Sequence, residues 1–193
     1  MREAGAMTEF DHSAGSLCLD FVATVRDWPE RRIELLGTPA ELTGWFEAEG
    51  LPAAAGGLTE QDLLDARTLR AAVNDTTRSL IAGAPPAAED IRLINTIGRH
   101  PTPVFLLGPG GRTRAAVAEP DAAAALSVIA RDAINLLAGP DLGRIRACDS
   151  DGCATLFYDR SPSGRRRWCS MRRCGEKAAA ANYRRRVATR SHP

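Results

Sequence analysis

Cys148-Asp149-Ser150-Asp151-Gly152-Cys153 and, after a spacer of fifteen residues, Cys169-Ser170-Met171-Arg172-Arg173-Cys174 decide how this chain is read. Two close cysteine pairs joined by a short spacer are the pattern of a structural zinc site. Zinc favours soft thiolates in a tetrahedron, and each pair can hold two corners of it. The same four residues could be ordinary buried or disulfide-bonded cysteines, but in a reducing compartment their clustering favours a metal. The expectation is one zinc per chain on Cys148, Cys153, Cys169 and Cys174. Four thiolates leave no open position for water or substrate, which argues against metal catalysis. The spacer holds Asp159-Arg160-Ser161-Pro162-Ser163-Gly164, a turn that lets the chain double back. Leu156, Phe157, Tyr158 and Trp168 are nearly all the apolar residues of this segment. Zinc is therefore expected to supply its folding energy.

Outward from the cysteines the chain is basic. Arg144 to Pro193 carries 13 Lys and Arg against 4 Asp and Glu. The whole chain has 25 and 24, so the first 143 residues carry 12 against 20. An acidic body with a basic tail hints at a polyanion-binding module. The candidate nucleic-acid contacts are Arg165, Arg166, Arg167, Arg172 and Arg173 among the ligands. Lys177, Arg184, Arg185 and Arg186 follow on a helix expected from Glu176 to Thr189. Guanidinium groups pair with phosphates and can read guanine edges, and a helix held by a zinc knuckle suits a DNA groove. Trp168 and Tyr183 could stack on bases, although packing on the knuckle suits Trp168 better. A solvated charged surface is the plainer alternative for the arginines.

Upstream the pattern is mainly helical. Ser16 to Trp28 places Cys18, Phe21, Val22 and Val25 on one helical stripe ahead of Pro29. Thr38-Pro39-Ala40-Glu41 opens a second helix that closes at Gly50. Thr59 and Asp62 open a third, running to Ile81, and Glu89 to Gly98 is a short fourth. Pro103 to Leu107, a turn at Gly108-Pro109-Gly110-Gly111, and Arg112 to Ala118 read as a β-hairpin. That turn lacks the Lys-Ser/Thr of a phosphate loop. Asp121 caps an amphipathic helix bearing Leu126, Ile129, Ala130, Ala133, Ile134 and Leu137, which ends at Gly139-Pro140. The fold expected is α+β and predominantly helical. A helical domain with a small hairpin spans residues 1–143, and a four-cysteine zinc finger of knuckle, hairpin and helix spans 144–193, each with its own core.

Two stretches resemble known families. Arg146-Ala147-Cys148, Cys153-Ala154-Thr155-Leu156-Phe157-Tyr158-Asp159-Arg160-Ser161 and Arg166-Arg167-Trp168-Cys169-Ser170-Met171, closing on Cys174-Gly175, resemble the CGNR zinc finger. Where that family has Cys-Gly-Asn-Arg, this chain has Cys174-Gly175-Glu176-Lys177: ligand and turn are kept, Lys177 keeps the positive charge of the Arg, and Glu176 departs from the Asn. Leu17-Cys18-Leu19-Asp20-Phe21-Val22-Ala23-Thr24 resembles the opening of the ABATE domain, with Ala23 in place of Asn. The resemblance implies a bacterial stress-response transcription regulator, with a helical sensing or interaction domain ahead of a zinc finger.

The expected function is thus zinc-dependent DNA binding, with a small-molecule or protein signal received by the acidic body. An interaction or RNA-binding protein with a purely structural finger is the alternative. No nucleophile–base pair stands out, so no enzyme is expected. Asp20 reads as a helix cap or ion-pair partner, Cys18 as a small buried hydrophobe, and His12, His100 and His192 as isolated. Met1 to Met7 has no apolar h-region and no run of about 18 apolar residues exists, so a cytoplasmic protein without membrane spans is expected.

Overall fold

Ser16 starts the first helix, α1 (Leu17–Val22), which is shorter than its hydrophobic stripe suggested. The expected helix through Trp28 stops because Thr24 turns back on it. Its hydroxyl and amide both donate to the Phe21 carbonyl, at 2.6 and 3.1 Å. The chain then leaves as β1 (Val25–Arg26), paired antiparallel with β2 (Ile33–Glu34). The computed structural model describes residues 10–26, 32–52, 56–108, 110–111, 114–116 and 121–190, with backbone alone at 114–116, 182 and 185–190. Trp28, Pro29, Pro109, Arg112 and His192 lie outside the described residues.

Thr38 caps α2 (Pro39–Ala48) by accepting the Glu41 amide. The Glu41 carboxylate reaches past the cap to the Gly37 amide at 2.7 Å. Thr59 and Asp62 form a complete capping box on α3 (Glu60–Ile81), an arrangement worth about 1 kcal/mol. There follow α4 (Ala88–Gly98), the hairpin β3 (Phe105–Leu107) and β4 (Arg114–Ala116), and α5 (Ala122–Leu137), which Asp121 caps. The hairpin pairs Phe105 with Ala116 and Leu107 with Arg114, as its sequence predicts.

A 3-10 turn (Leu142–Arg144) leads into β5 (Ile145–Ala147), which pairs antiparallel with β6 (Leu156–Tyr158). A π turn (Met171–Gly175) runs directly into α6 (Glu176–Arg190). About half of the described residues are helical, and the sheets among them are two-stranded, so the α+β and mainly helical expectation holds. No helix among the described residues is long and apolar enough to cross a membrane.

The expectation of two separate cores is not met. One continuous cluster joins Phe21, Trp45, Phe46, Leu69, Val73 and Ile129 of the body to Ile145, Leu156, Phe157, Cys169 and Cys174 of the finger. The chain between Ala14 and Asp20 makes the join. The Tyr158 amide donates to the Ala14 carbonyl at 2.7 Å, and the Ala14 amide donates to the buried Asp20 carboxylate at 2.8 Å. Gly15, at φ +94°, permits this approach, because a Cβ there would lie 2.8 Å from the Tyr158 carbonyl oxygen. Asp20 is therefore a tether for backbone rather than a helix cap or an ion-pair partner. Burial pushes its carboxyl up to about 7. Cys18 is fully buried, as expected, and its amide donates to Asp132 of α5.

Candidate metal centre and basic face

The first cysteine pair closes the β5–β6 hairpin. The Cys148 amide extends the ladder to the Thr155 carbonyl at 3.0 Å. Between the strands, the Cys153 amide donates to the Ser150 carbonyl, and Gly152 takes the positive φ that this turn demands. The second pair spans the π turn, where the Cys174 and Gly175 amides both donate to the Ser170 carbonyl. A hairpin loop and a helical turn thus face each other across the four sulfurs.

All four Sγ atoms lie within 4.8 Å of one another. Cys153 Sγ is 3.8 Å from Cys169 Sγ, which is 3.7 Å from Cys174 Sγ. A tetrahedron with zinc–sulfur bonds of about 2.3 Å has edges of about 3.8 Å, so the donors fit this ion. They are far beyond the roughly 2.05 Å of a disulfide, and all are free thiols. Sharing hydrogen bonds with the Cys148 and Cys153 sulfurs pushes the Cys169 thiol up, and its bond to Cys153 pushes Cys148 up to about 11. Such crowding calls for a cation to stabilise the thiolates. Donors already ring them. The Cys169 amide points at Cys148 Sγ, Thr155 Oγ1 lies 3.3 Å from Cys153 Sγ, and Arg173 Nη2 reaches Cys169 Sγ. The chain is built to hold one zinc ion, which when bound clamps hairpin and helix together.

The nine basic candidates separate into groups. Arg166 is directed inward. Its guanidinium lies 4.7 Å from the centre of the Phe157 ring and donates to the carbonyls of Ser13, Trp168 and Cys169. Arg173 is half-buried between Asp11, at 3.5 Å, and the Cys169 sulfur. Arg165, Arg167 and Arg172 are exposed. Arg167 pairs with Asp149 at 3.0 Å and lies over the Trp168 ring. Lys177 is exposed and donates to the Asp151 carbonyl, while Arg184 is exposed on α6. Arg185 and Arg186 lie on the α6 backbone, with side chains outside the described residues. Trp168 is half-buried against the core, and Tyr183 is 70% exposed.

Three supporting residues escaped the sequence reading. Asp159, fully buried, accepts the Ser161 and Arg166 amides, both at 2.9 Å, and so folds the loop between β6 and the second cysteine pair. Its bonds from Ser161, and from the Arg166 amide, hold its carboxyl down at about 2. Ser13 donates to the Cys169 carbonyl, and Arg78 of α3 reaches the Ala154 carbonyl at 2.6 Å. The last two signals are long-range contacts to backbone, which no spacing rule encodes. Asp159 had a local signal, because Asp two residues before Ser in a turn is an Asx motif.

Residues 15–140 match the model of the ABATE family, described as "Putative stress-induced transcription regulator". Residues 144–187 match the model of the CGNR zinc finger. No curated protein matches the chain.

Proposed function

The chain belongs to the ABATE family, with a CGNR zinc finger behind the family domain, and on that premise we propose that it is a DNA-binding transcription regulator of a stress response. One observation carries the reading. The helix α6 is 15 residues long, packs mainly on the π turn that supplies Cys174, and in sequence carries as apolar residues only alanines with Tyr183, 70% exposed, and Val187. A basic helix of this length, fixed at one end by a metal knuckle, has the dimensions and charge of a major-groove reader. The acidic body receives a small-molecule or protein signal. The protein works in the cytoplasm and is not an enzyme; the four thiolates close the metal centre and leave no position on the ion for substrate.

Duplex binding by the zinc-loaded chain across a salt series tests this. With Arg166 and Arg173 engaged internally, about four phosphate contacts remain, and the log–log slope should lie near −4. The engagement of those two arginines, and the core shared by finger and body, favour the second reading of a purely structural finger. No duplex binding even at low salt would establish that reading instead.

A further inference from the structure

Resting on the DNA-binding reading, we propose that the phosphate backbone of the duplex is gripped in the cleft where finger and body meet, by Arg146, Arg165 and Arg167, apart from α6. The cleft has a volume of about 410 Å³, and its floor and rim include Ile81 of α3, Ala147 of β5 and Gly164. Its guanidiniums come from two separate segments. Arg146 projects from β5, ahead of the first cysteine. Arg165 and Arg167 flank Arg166, and the alternation exposed, half-buried, exposed turns the outer two away from the core. The triplet Arg165-Arg166-Arg167 therefore divides its work: the middle residue holds the loop, and its neighbours offer charge.

The walls are fixed before any ligand arrives. Asp159 holds the Ser161 and Arg166 amides, Arg146 Nη2 donates to the Gly164 carbonyl at 3.0 Å, and the Asp149 amide donates to the Arg167 carbonyl at 3.0 Å. Preset donors lose little freedom on binding. Arg165 is exposed and has no partner among the described residues. The one carboxylate on the cleft wall, Asp149, is about half exposed and pairs with Arg167. Arg146 lies 3.9 Å from the buried Asp159 and Arg167 pairs with Asp149, so two carboxylates offset part of the charge. Arg165, without such a partner among the described residues, keeps the cleft positive, and a phosphate chain is the polyanion that the proposed function brings to it. Because Ile81 and β5 line it, the footprint extends across the finger onto the body.

The test is duplex binding by full-length, zinc-loaded wild type, Arg165→Ala, Arg146→Ala and Asp149→Asn from low to high salt, with zinc content and Tm recorded. Each lost phosphate contact should reduce the magnitude of the log–log slope by about 0.9 and weaken binding roughly eightfold at 0.1 M salt. Arg165→Lys should keep the slope, since it keeps the charge. Asp149→Asn should tighten binding, because it removes the carboxylate that competes for Arg167. Arg165→Ala touches no internal contact, so its result stands even if Arg146→Ala loosens the loop. Wild-type binding with unaltered slopes and no gain from Asp149→Asn would overturn the cleft and leave DNA binding intact. Failure of wild type to bind duplex would remove both.

Discussion

At Asp20 a single carboxyl couples body to finger, and the coupling depends on pH. The group is buried and accepts the Ala14 amide, whose carbonyl in turn receives the Tyr158 amide. Burial raises the Asp20 carboxyl to about 7 from the usual value near 4. Between those values the folded state binds more protons than the unfolded chain, so stability falls as pH rises through this range. The cost at neutral pH is on the order of a few kcal/mol. Asp20→Asn keeps an acceptor for Ala14 and removes the charge. Its Tm advantage over wild type should therefore grow as pH rises from 5 to 8; an advantage that stays flat over that range would mean Asp20 is already ionised at pH 5. The four cysteines were legible because ligand type and spacing are local properties. The role of Arg166 was not. In sequence it is one of three identical neighbours, and only the folded path of Ser13 and Phe157 distinguishes it.

At the level of the element, helix starts were the most legible features, since Thr38, Thr59 and Asp121 cap within three residues of themselves. The end of α1 was missed. Cys18, Phe21, Val22 and Val25 fit a helical stripe, yet Thr24 is caught in a fork with Arg70, which also pairs with Glu34 of β2. That tertiary anchor overrides the periodicity. For α6 the issue is stability rather than position. A helix of 15 residues whose apolar residues are mostly alanine is marginal in water, because helices of this size draw most of their stability from packing. Amides from Ala180 to Arg190 should exchange fast in the free protein, while those of α3 and α5 are protected. Duplex DNA should slow exchange in α6. Equal protection of α6 and α5 in the free protein would show that some other contact already covers it, and would weaken its candidacy as the groove helix.

For the whole molecule, the sequence divides into two charged halves, and that division suggested two cores. The fold joins them, because burial follows apolar side chains rather than charge. Ile145, Leu156 and Phe157 are too few to form a core alone; they join the shared core, with β6 beside α1 and the 3-10 turn ahead of β5 packed on α3. Zinc therefore supports more than the finger. Removing it frees the hairpin and the π turn from each other and leaves four crowded thiols. Phe157, fully buried in the shared core, then loses its seating under Arg166. Losing the packing of one such aromatic costs about 3–5 kcal/mol, equivalent to a fall in Tm of about 6–20 °C for a chain of this size. Chelation of the metal, or Cys169→Ser, should accordingly lower the melting of the helical body within one cooperative transition. The readout is circular dichroism of the α3 and α5 helices alongside zinc content. A body that melts at the wild-type temperature after the finger has lost its metal would restore the two-core division that the charge pattern suggested. It would also detach the Ile81 wall from the proposed phosphate cleft, since that wall depends on finger and body being one rigid unit.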